Sequence, residues 1–184
     1  MATRTGPTLF LPVGPRDHIQ GPADAPVTLV EYGDFECPYC GAAHVIIKKT
    51  QDIMRDQLRF VFRHFPLTQI HPHAQPAAEA AEAAGAQGQF WEMHDLLYEN
   101  QPKLDAWHLV TYSEKLGLDT VRFVRELDEG VYREDVREDF MSGVRSGVNG
   151  TPAFFINGVR YDGSWDLVPL VDALEKASVA VSAR

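Results

Sequence analysis

The sequence predicts an α/β fold in which a block of helices interrupts one sheet. Three observations carry this prediction. A strand–helix–strand pattern lies near the N-terminus, residues 71–146 are helical in pattern and nearly free of strand signal, and strand character returns after residue 147. The order is βαβ, a helical insertion and then ββα. Because a crossover helix joins the first two strands, they are expected to form a parallel pair.

Domain boundaries follow from shifts in composition. Residues 1–20 are rich in proline, glycine and polar residues and are interpreted as an irregular N-terminal arm. Residues 21–70 and 147–184 are predicted to form the core, and residues 71–146 the inserted helical subdomain.

The first core elements are marked by apolar patterning. Val27–Tyr32 is an apolar, β-favouring run, and the helix that follows the two cysteines is predicted to reach Met54 or Arg55. Leu58–Phe65 alternates as a strand does, and Pro66 ends it.

The insertion is predicted to contain five helices, from helical periodicity, capping residues and glycine stops. They are an alanine-rich helix over 76–85, a helix over 89–100, a helix capped by Asp105 and ending at Leu116, a helix capped by Asp119 and reaching Leu127, and a helix carrying Val136, Phe140 and Val144.

The last segment returns to strands. Thr151–Ile156 is a short apolar strand, and Asn157-Gly158 is the strongest two-residue hairpin signal, so that Val159–Tyr161 can pair back. Asp166 is expected to cap a closing helix over Leu167–Lys176.

Composition and charge exclude several classes of function. The apolar fraction of 45% is ordinary for a globular protein, and the net charge of −9 argues against nucleic acid and anionic membranes as partners. The sequence contains no run of about 18 apolar residues, so no transmembrane helix is predicted. The N-terminus has no signal-peptide pattern, which predicts a cytoplasmic protein. The protein is also expected to be a monomer.

The chemistry is concentrated in Cys37-Pro38-Tyr39-Cys40, which contains the only two cysteines. A disulfide closing so short a loop adds little stability, so a structural role explains the pair poorly. A helix N-terminus can lower a thiol pKa from about 8.5 into the range of about 3.5–7.5, which makes Cys37 the expected nucleophile and Cys40 the resolving cysteine. Pro38 suits the first helical turn because it needs no N–H there.

The two cysteines have two other interpretations, a structural role and half of a zinc site. A zinc site of this type needs a second Cys/His pair at suitable spacing, which is absent from the sequence. His71-Pro72-His73 offers two imidazoles, yet the proline between them constrains a chelate. No metal site is predicted.

Four separated motifs follow one another along the chain. They are Val30-Glu31-Tyr32-Gly33-Asp34-Phe35-Glu36-Cys37-Pro38-Tyr39-Cys40, Arg63-His64-Phe65-Pro66-Leu67, Phe90-Trp91-Glu92-Met93-His94 and the segment from Gly147 to Gly158 with Thr151-Pro152. These motifs, in this order, resemble the thioredoxin superfamily, and the helical insertion resembles its DsbA-like branch. The resemblance covers roughly residue 21 to the C-terminus.

The resemblance implies a thioredoxin fold and thiol–disulfide oxidoreductase activity. It implies that the Thr151–Pro152 bond is cis, faces the cysteines and presents backbone groups to an extended substrate segment. It also implies that Glu31 relays protons to the buried cysteine, which requires burial; the alternative is a solvated glutamate at the strand end.

The expected reaction is oxidation, reduction or isomerisation of protein disulfides. Pro38-Tyr39 resembles the dipeptide of glutaredoxins, and neutral Tyr39 predicts a less oxidising couple than about −120 mV, nearer about −200 to −230 mV. A cytoplasmic setting favours reduction or isomerisation.

The expected partners are protein or peptide dithiols and disulfides and an unidentified recycling reductant or oxidant. No dissociable cofactor is predicted, with glutathione as a candidate reductant. Two alternatives stay open: a glutathione-linked reductase or transferase on the same fold, and a chaperone or redox-sensing adaptor that binds partners through the helical insertion.

Overall fold

A computed structural model describes residues 6–182 and divides them into two compact units. The first contains the described residues up to Tyr32, Ala42–Arg63 and the chain from Met141 onward. The second contains Gly33–Gly41 and His64–Phe140. The turn that carries the cysteines therefore groups with the helical segment.

The first unit contains a five-stranded sheet of order β1-β3-β2-β4-β5. The strands are β1 (His18–Gln20), β2 (Val27–Gly33), β3 (Leu58–His64), β4 (Ala153–Ile156) and β5 (Val159–Tyr161). Pairings of β1 with β3, of β2 with β4 and of β4 with β5 are antiparallel. The mixed α/β fold predicted from the sequence is confirmed.

The central strand β2 is buried along its whole length, as expected of an apolar run that packs on both faces. In its pairing with β4, Glu31 lies opposite Phe154 and Tyr32 opposite Ala153. The Tyr32 and Phe155 rings meet edge to face at 5.8 Å, so aromatic packing joins these strands in the core.

The predicted hairpin between β4 and β5 is confirmed. Its two turn residues, Asn157 and Gly158, have φ angles of 48° and 78°. A type I′ turn needs positive φ at both central positions, and asparagine and glycine adopt it most readily.

The prediction of an irregular arm over residues 1–20 is wrong for residues 18–20, which form the edge strand β1. Three residues give too short a pattern for alternation to show. Arg63 of β3 binds the segment before β1: it donates two hydrogen bonds to Asp17 at 2.7 and 3.1 Å, and others to the carbonyls of Leu11 and Pro12. The rest of this prediction includes residues 1–5, which lie outside the described residues.

Two predicted helices lie outside the insertion. Helix α1 (Pro38–Met54) matches its predicted end, and a short 3₁₀ turn follows it. The last helix, α7 (Leu167–Ser182), continues past the predicted end at Lys176. The residues beyond Lys176 are alanine, serine and valine, and Ser178 among them is buried.

All five predicted helices of the insertion are present. They are α2 (Ala74–Gly85), α3 (Phe90–Glu99), α4 (Ala106–Lys115), α5 (Thr120–Glu129) and α6 (Arg133–Arg145).

The predicted caps of two of these helices are confirmed. The Asp105 carboxylate accepts hydrogen bonds from the N–H groups of Trp107 and His108, and that of Asp119 from the N–H of Arg122. Gly130 ends α5 in the left-handed region at φ 63°, where a glycine is least strained.

Among the described residues, every helix is too short or too polar to cross a bilayer.

Candidate active site

The two cysteines lie at the start of α1. Since α1 begins at Pro38, Cys37 is the residue immediately before the helix, and Cys40 lies within its first turn. The Cys37 carbonyl accepts the hydrogen bond of Gly41 N–H at 3.1 Å, the first of the helix. Cys37 is thus placed where the N–H groups of a first helical turn have no intrahelical acceptor.

Exposure differs sharply along the four residues. Cys40 is fully buried and Cys37 is 4% exposed, whereas Pro38 is exposed and Tyr39 is 67% exposed. The exposed surface of these four residues is therefore contributed mainly by Pro38 and Tyr39.

The turn before Cys37 is held by the buried carboxylate of Asp34. One of its oxygens accepts from Glu36 N–H at 2.8 Å, and the other accepts from Leu67 N–H and His71 Nδ1, both at 2.8 Å. The Asp34 carbonyl also accepts from Cys37 N–H at 3.1 Å. Asp34 therefore links the cysteine turn to the loop after β3.

A second link joins the same two segments. The Glu36 carboxylate accepts from His73 N–H at 2.6 Å. The His71 imidazole and the His73 backbone therefore anchor a loop, which gives this pair a role that the sequence alone did not assign.

Phe35 fills the space beneath the turn. Its ring lies 4.9 Å from that of Tyr98, 5.6 Å from that of His94 and 5.8 Å from that of His64, measured between centroids. His94 is thus packed among aromatic rings.

Gln101 also holds the cysteine turn, and sequence reasoning missed it. Its Nε2 donates to the carbonyls of Phe35 and Cys37 at 2.9 and 2.8 Å. Gln101 lies in the loop between α3 and α4, 64 residues from Cys37. No periodicity or motif marks such a residue, because its role depends on a contact between distant segments.

The other predicted site residues belong to the first unit. Glu31 lies in β2 and is 2% exposed, so the alternative of a solvated strand-end glutamate is wrong. Thr151 and Pro152 are half-buried and directly precede β4, and the peptide bond between them is cis. Pro152 thus adjoins Ala153, the register partner of Tyr32.

Comparison with known proteins assigns the family. A family model described as thioredoxin matches residues 14–176. This chain belongs to the thioredoxin family.

Solved structures of thioredoxin-like and DsbA proteins have the same fold as this chain. A thioredoxin-like oxidoreductase from Silicibacter pomeroyi is 27% identical, with a TM-score of 0.79 over 89% of this chain and 93% of the other. Wolbachia pipientis alpha-DsbA1 is 20% identical and has the same fold, with a TM-score of 0.80 over 95% and 96% of the two chains. The thioredoxin fold and the thioredoxin family expected from the sequence are confirmed.

Curated relatives are more similar in sequence but much longer. A protein named Na(+)/H(+) antiporter NhaA 1 from Salinispora arenicola is 48% identical over 96% of this chain, and one named NhaA from Herminiimonas arsenicoxydans is 45% identical over 89%. This thioredoxin-family chain spans about a quarter of their length, 27% and 26% respectively.

Proposed function

We propose that this thioredoxin-family protein exchanges thiols and disulfides with protein substrates through Cys37 and Cys40. The observation that carries the proposal is the position of the pair: Cys37 directly precedes α1, and Cys40 lies in its first turn. A helix N-terminus stabilises a thiolate through its N–H groups and its dipole. We therefore expect the pKa of the Cys37 thiol to lie below about 8.5.

In the reductive direction, the Cys37 thiolate attacks one sulfur of a substrate disulfide. A Cys37–substrate disulfide forms, and the other substrate sulfur leaves as a thiolate and takes a proton. The Cys40 thiolate then attacks the Cys37 sulfur, which releases the second substrate thiol and leaves a Cys37–Cys40 disulfide. The substrate gains two electrons, and an external dithiol, or two molecules of a monothiol such as glutathione, restores the reduced pair.

The remaining predicted site residues have supporting roles in this proposal. Thr151 and Pro152 offer backbone groups to an extended substrate segment, and the exposed Pro38 and Tyr39 contact it. Glu31 is a buried carboxyl of β2, and its proposed role is to pass a proton to or from Cys40.

The direction of exchange depends on the compartment. In the cytoplasm, the setting proposed from the sequence, glutathione and thioredoxin systems keep thiols reduced, so reduction or isomerisation is favoured over net oxidation. The neutral Tyr39 supports the same direction, because it gives the thiolate no cationic partner.

Insulin reduction and refolding of scrambled ribonuclease test the function. Wild-type protein should accelerate both reactions, and Cys37→Ser should abolish both because it removes the nucleophile. Survival of either activity in Cys37→Ser would refute the assignment of Cys37.

The Pro38-Tyr39 dipeptide supports a second candidate, a glutathione-linked reductase. This candidate predicts that glutathione alone sustains turnover on a small mixed disulfide, with rates at least equal to those on insulin. If turnover requires a protein dithiol instead, this second candidate fails.

A further inference from the structure

Gln101 and Gly41 lie beside Cys37, and neither takes part in the proposed thiol–disulfide exchange. The carboxamide nitrogen of Gln101 carries two hydrogens, and each has a backbone carbonyl as acceptor, Phe35 at 2.9 Å and Cys37 at 2.8 Å. Because both acceptors are carbonyls, the amide orientation is determined by the hydrogen bonds themselves.

The loop that carries Gln101 is itself fixed. The Asn100 side chain donates to the Leu96 carbonyl at 2.8 Å and so closes the end of α3. Lys103 N–H donates to the Asn100 carbonyl at 2.8 Å, and the Tyr112 hydroxyl of α4 donates to the Lys103 carbonyl at 2.8 Å. The loop around Gln101 is therefore held by hydrogen bonds of its own, in addition to those between Gln101 and the cysteine turn.

Gly41 leaves the space that Gln101 occupies. A Cβ added at Gly41 would lie 2.7 Å from Gln101 Cδ, 3.0 Å from Nε2 and closer still to Oε1. Gly41 lies inside α1 with no positive φ recorded, so its backbone does not require glycine. Since glycine is a poor helix former, the close approach of Gln101 is the physical reason for it.

We propose that Gln101 is a positioning residue that tunes the acidity of the Cys37 thiol. The inference rests on the proposed function of Cys37 as nucleophile. By donating to the carbonyls on both sides of Glu36–Cys37, Gln101 orients the peptide planes that set Cys37 against the N-terminus of α1. It also neutralises part of the negative charge of the Cys37 carbonyl, which would otherwise oppose a thiolate in the same residue.

The test measures the pKa of Cys37 by alkylation rate and thiolate absorbance against pH, and therefore needs no substrate. Gln101→Met keeps the length of the side chain and removes both donors, and should raise the pKa of Cys37 by about 0.5 to 1. Gly41→Ala should raise it in the same direction by displacing Gln101, even though alanine favours the helix. The double variant should add nothing beyond the larger single effect, because both act on one contact.

Gln89→Met is the matched control. Gln89 makes a similar hydrogen bond to the Leu116 carbonyl at 2.8 Å, on residues that hold no part of the cysteine turn. It should leave the Cys37 pKa unchanged.

A Gln101→Met protein with the wild-type Cys37 pKa would overturn the inference, even if it were less stable. Should Gln101→Met fail to fold, an unchanged pKa in Gly41→Ala would overturn it equally. If the pKa rises but the wild type exchanges no disulfide, the inference stands and the proposed function fails.

Discussion

At the scale of single residues, the main feature of the site is the difference in exposure between Cys37 and Tyr39, two residues further along the chain. Cys37 is 4% exposed and Tyr39 is 67% exposed. The side chain that the four-residue motif presents to solvent beside Pro38 is therefore Tyr39. Substitution of Tyr39 should change the energetics of the couple without disturbing the fold.

Tyr39→His is expected to make the couple more oxidising. A protonated imidazole beside the sulfur stabilises the thiolate and hence the reduced form. The reduction potential, expected to lie at about −200 to −230 mV in the wild type, should rise by at least about 30 mV toward the value of about −120 mV for DsbA. Equilibration with glutathione buffers measures it, and Tyr39→Phe, which keeps the ring, serves as control. A wild-type potential already near −120 mV would contradict the account of Tyr39.

Glu31→Gln is expected to slow the step in which Cys40 resolves the mixed disulfide. The amide keeps the shape of the buried carboxyl but cannot transfer a proton, so this step should slow about tenfold or more, while the attack by Cys37 keeps its rate. Rapid-quench kinetics against pH separate the two steps. Glu175→Gln, at an exposed position of α7, is the control. Equal rates and pH profiles in Glu31→Gln and the wild type would exclude the relay.

At the scale of elements, hydrogen bonds at helix starts organise both the site and the helical unit. Asp34 holds the turn into α1 through its carboxylate, and Asp105 caps α4. At the start of α4, His108 Nδ1 also forms a hydrogen bond of 2.5 Å with the Asp105 carboxylate. This hydrogen bond lowers the pKa of Asp105 below its ordinary value of 3.8.

The lowered pKa of Asp105 predicts a pH dependence of stability. A carboxyl that is more acidic in the folded state stabilises the protein above its unfolded pKa, about 3.9, and loses that contribution as the pH falls through the folded value. Asparagine still caps a helix, so Asp105→Asn isolates the charge.

Urea unfolding of the wild type and Asp105→Asn should therefore differ by a constant amount above about pH 5, and the difference should shrink below about pH 4. His108→Leu removes the main cause of the lowered pKa, and in that background the decrease should begin at higher pH. A difference independent of pH would show that the charge of Asp105 contributes nothing.

At the scale of the whole molecule, the sequence predicts what depends on local pattern. The buried run at β2, the pair Cys37 and Cys40, the caps Asp105 and Asp119 and the Asn157-Gly158 turn all have local physical causes, and the structure contains each of them. Strand β1 was missed because three half-buried residues carry no periodicity.

Contacts between distant segments were not predictable from pattern. Gln101 and His71 reach the cysteine turn from 64 and 37 residues away. These contacts also explain why residues 33–41 group with the helical segment rather than with the sheet. A single sequence offers no periodic signal for such pairs.

The central claim is that Cys37 attacks the substrate and Cys40 resolves the mixed disulfide. Mass spectrometry of the protein after incubation with a disulfide-containing peptide tests it most directly. Cys40→Ser should accumulate a covalent adduct of one peptide on Cys37, and Cys37→Ser should accumulate none because Cys40 is fully buried. An adduct on Cys40 in Cys37→Ser, or the absence of any adduct in Cys40→Ser, would contradict the account.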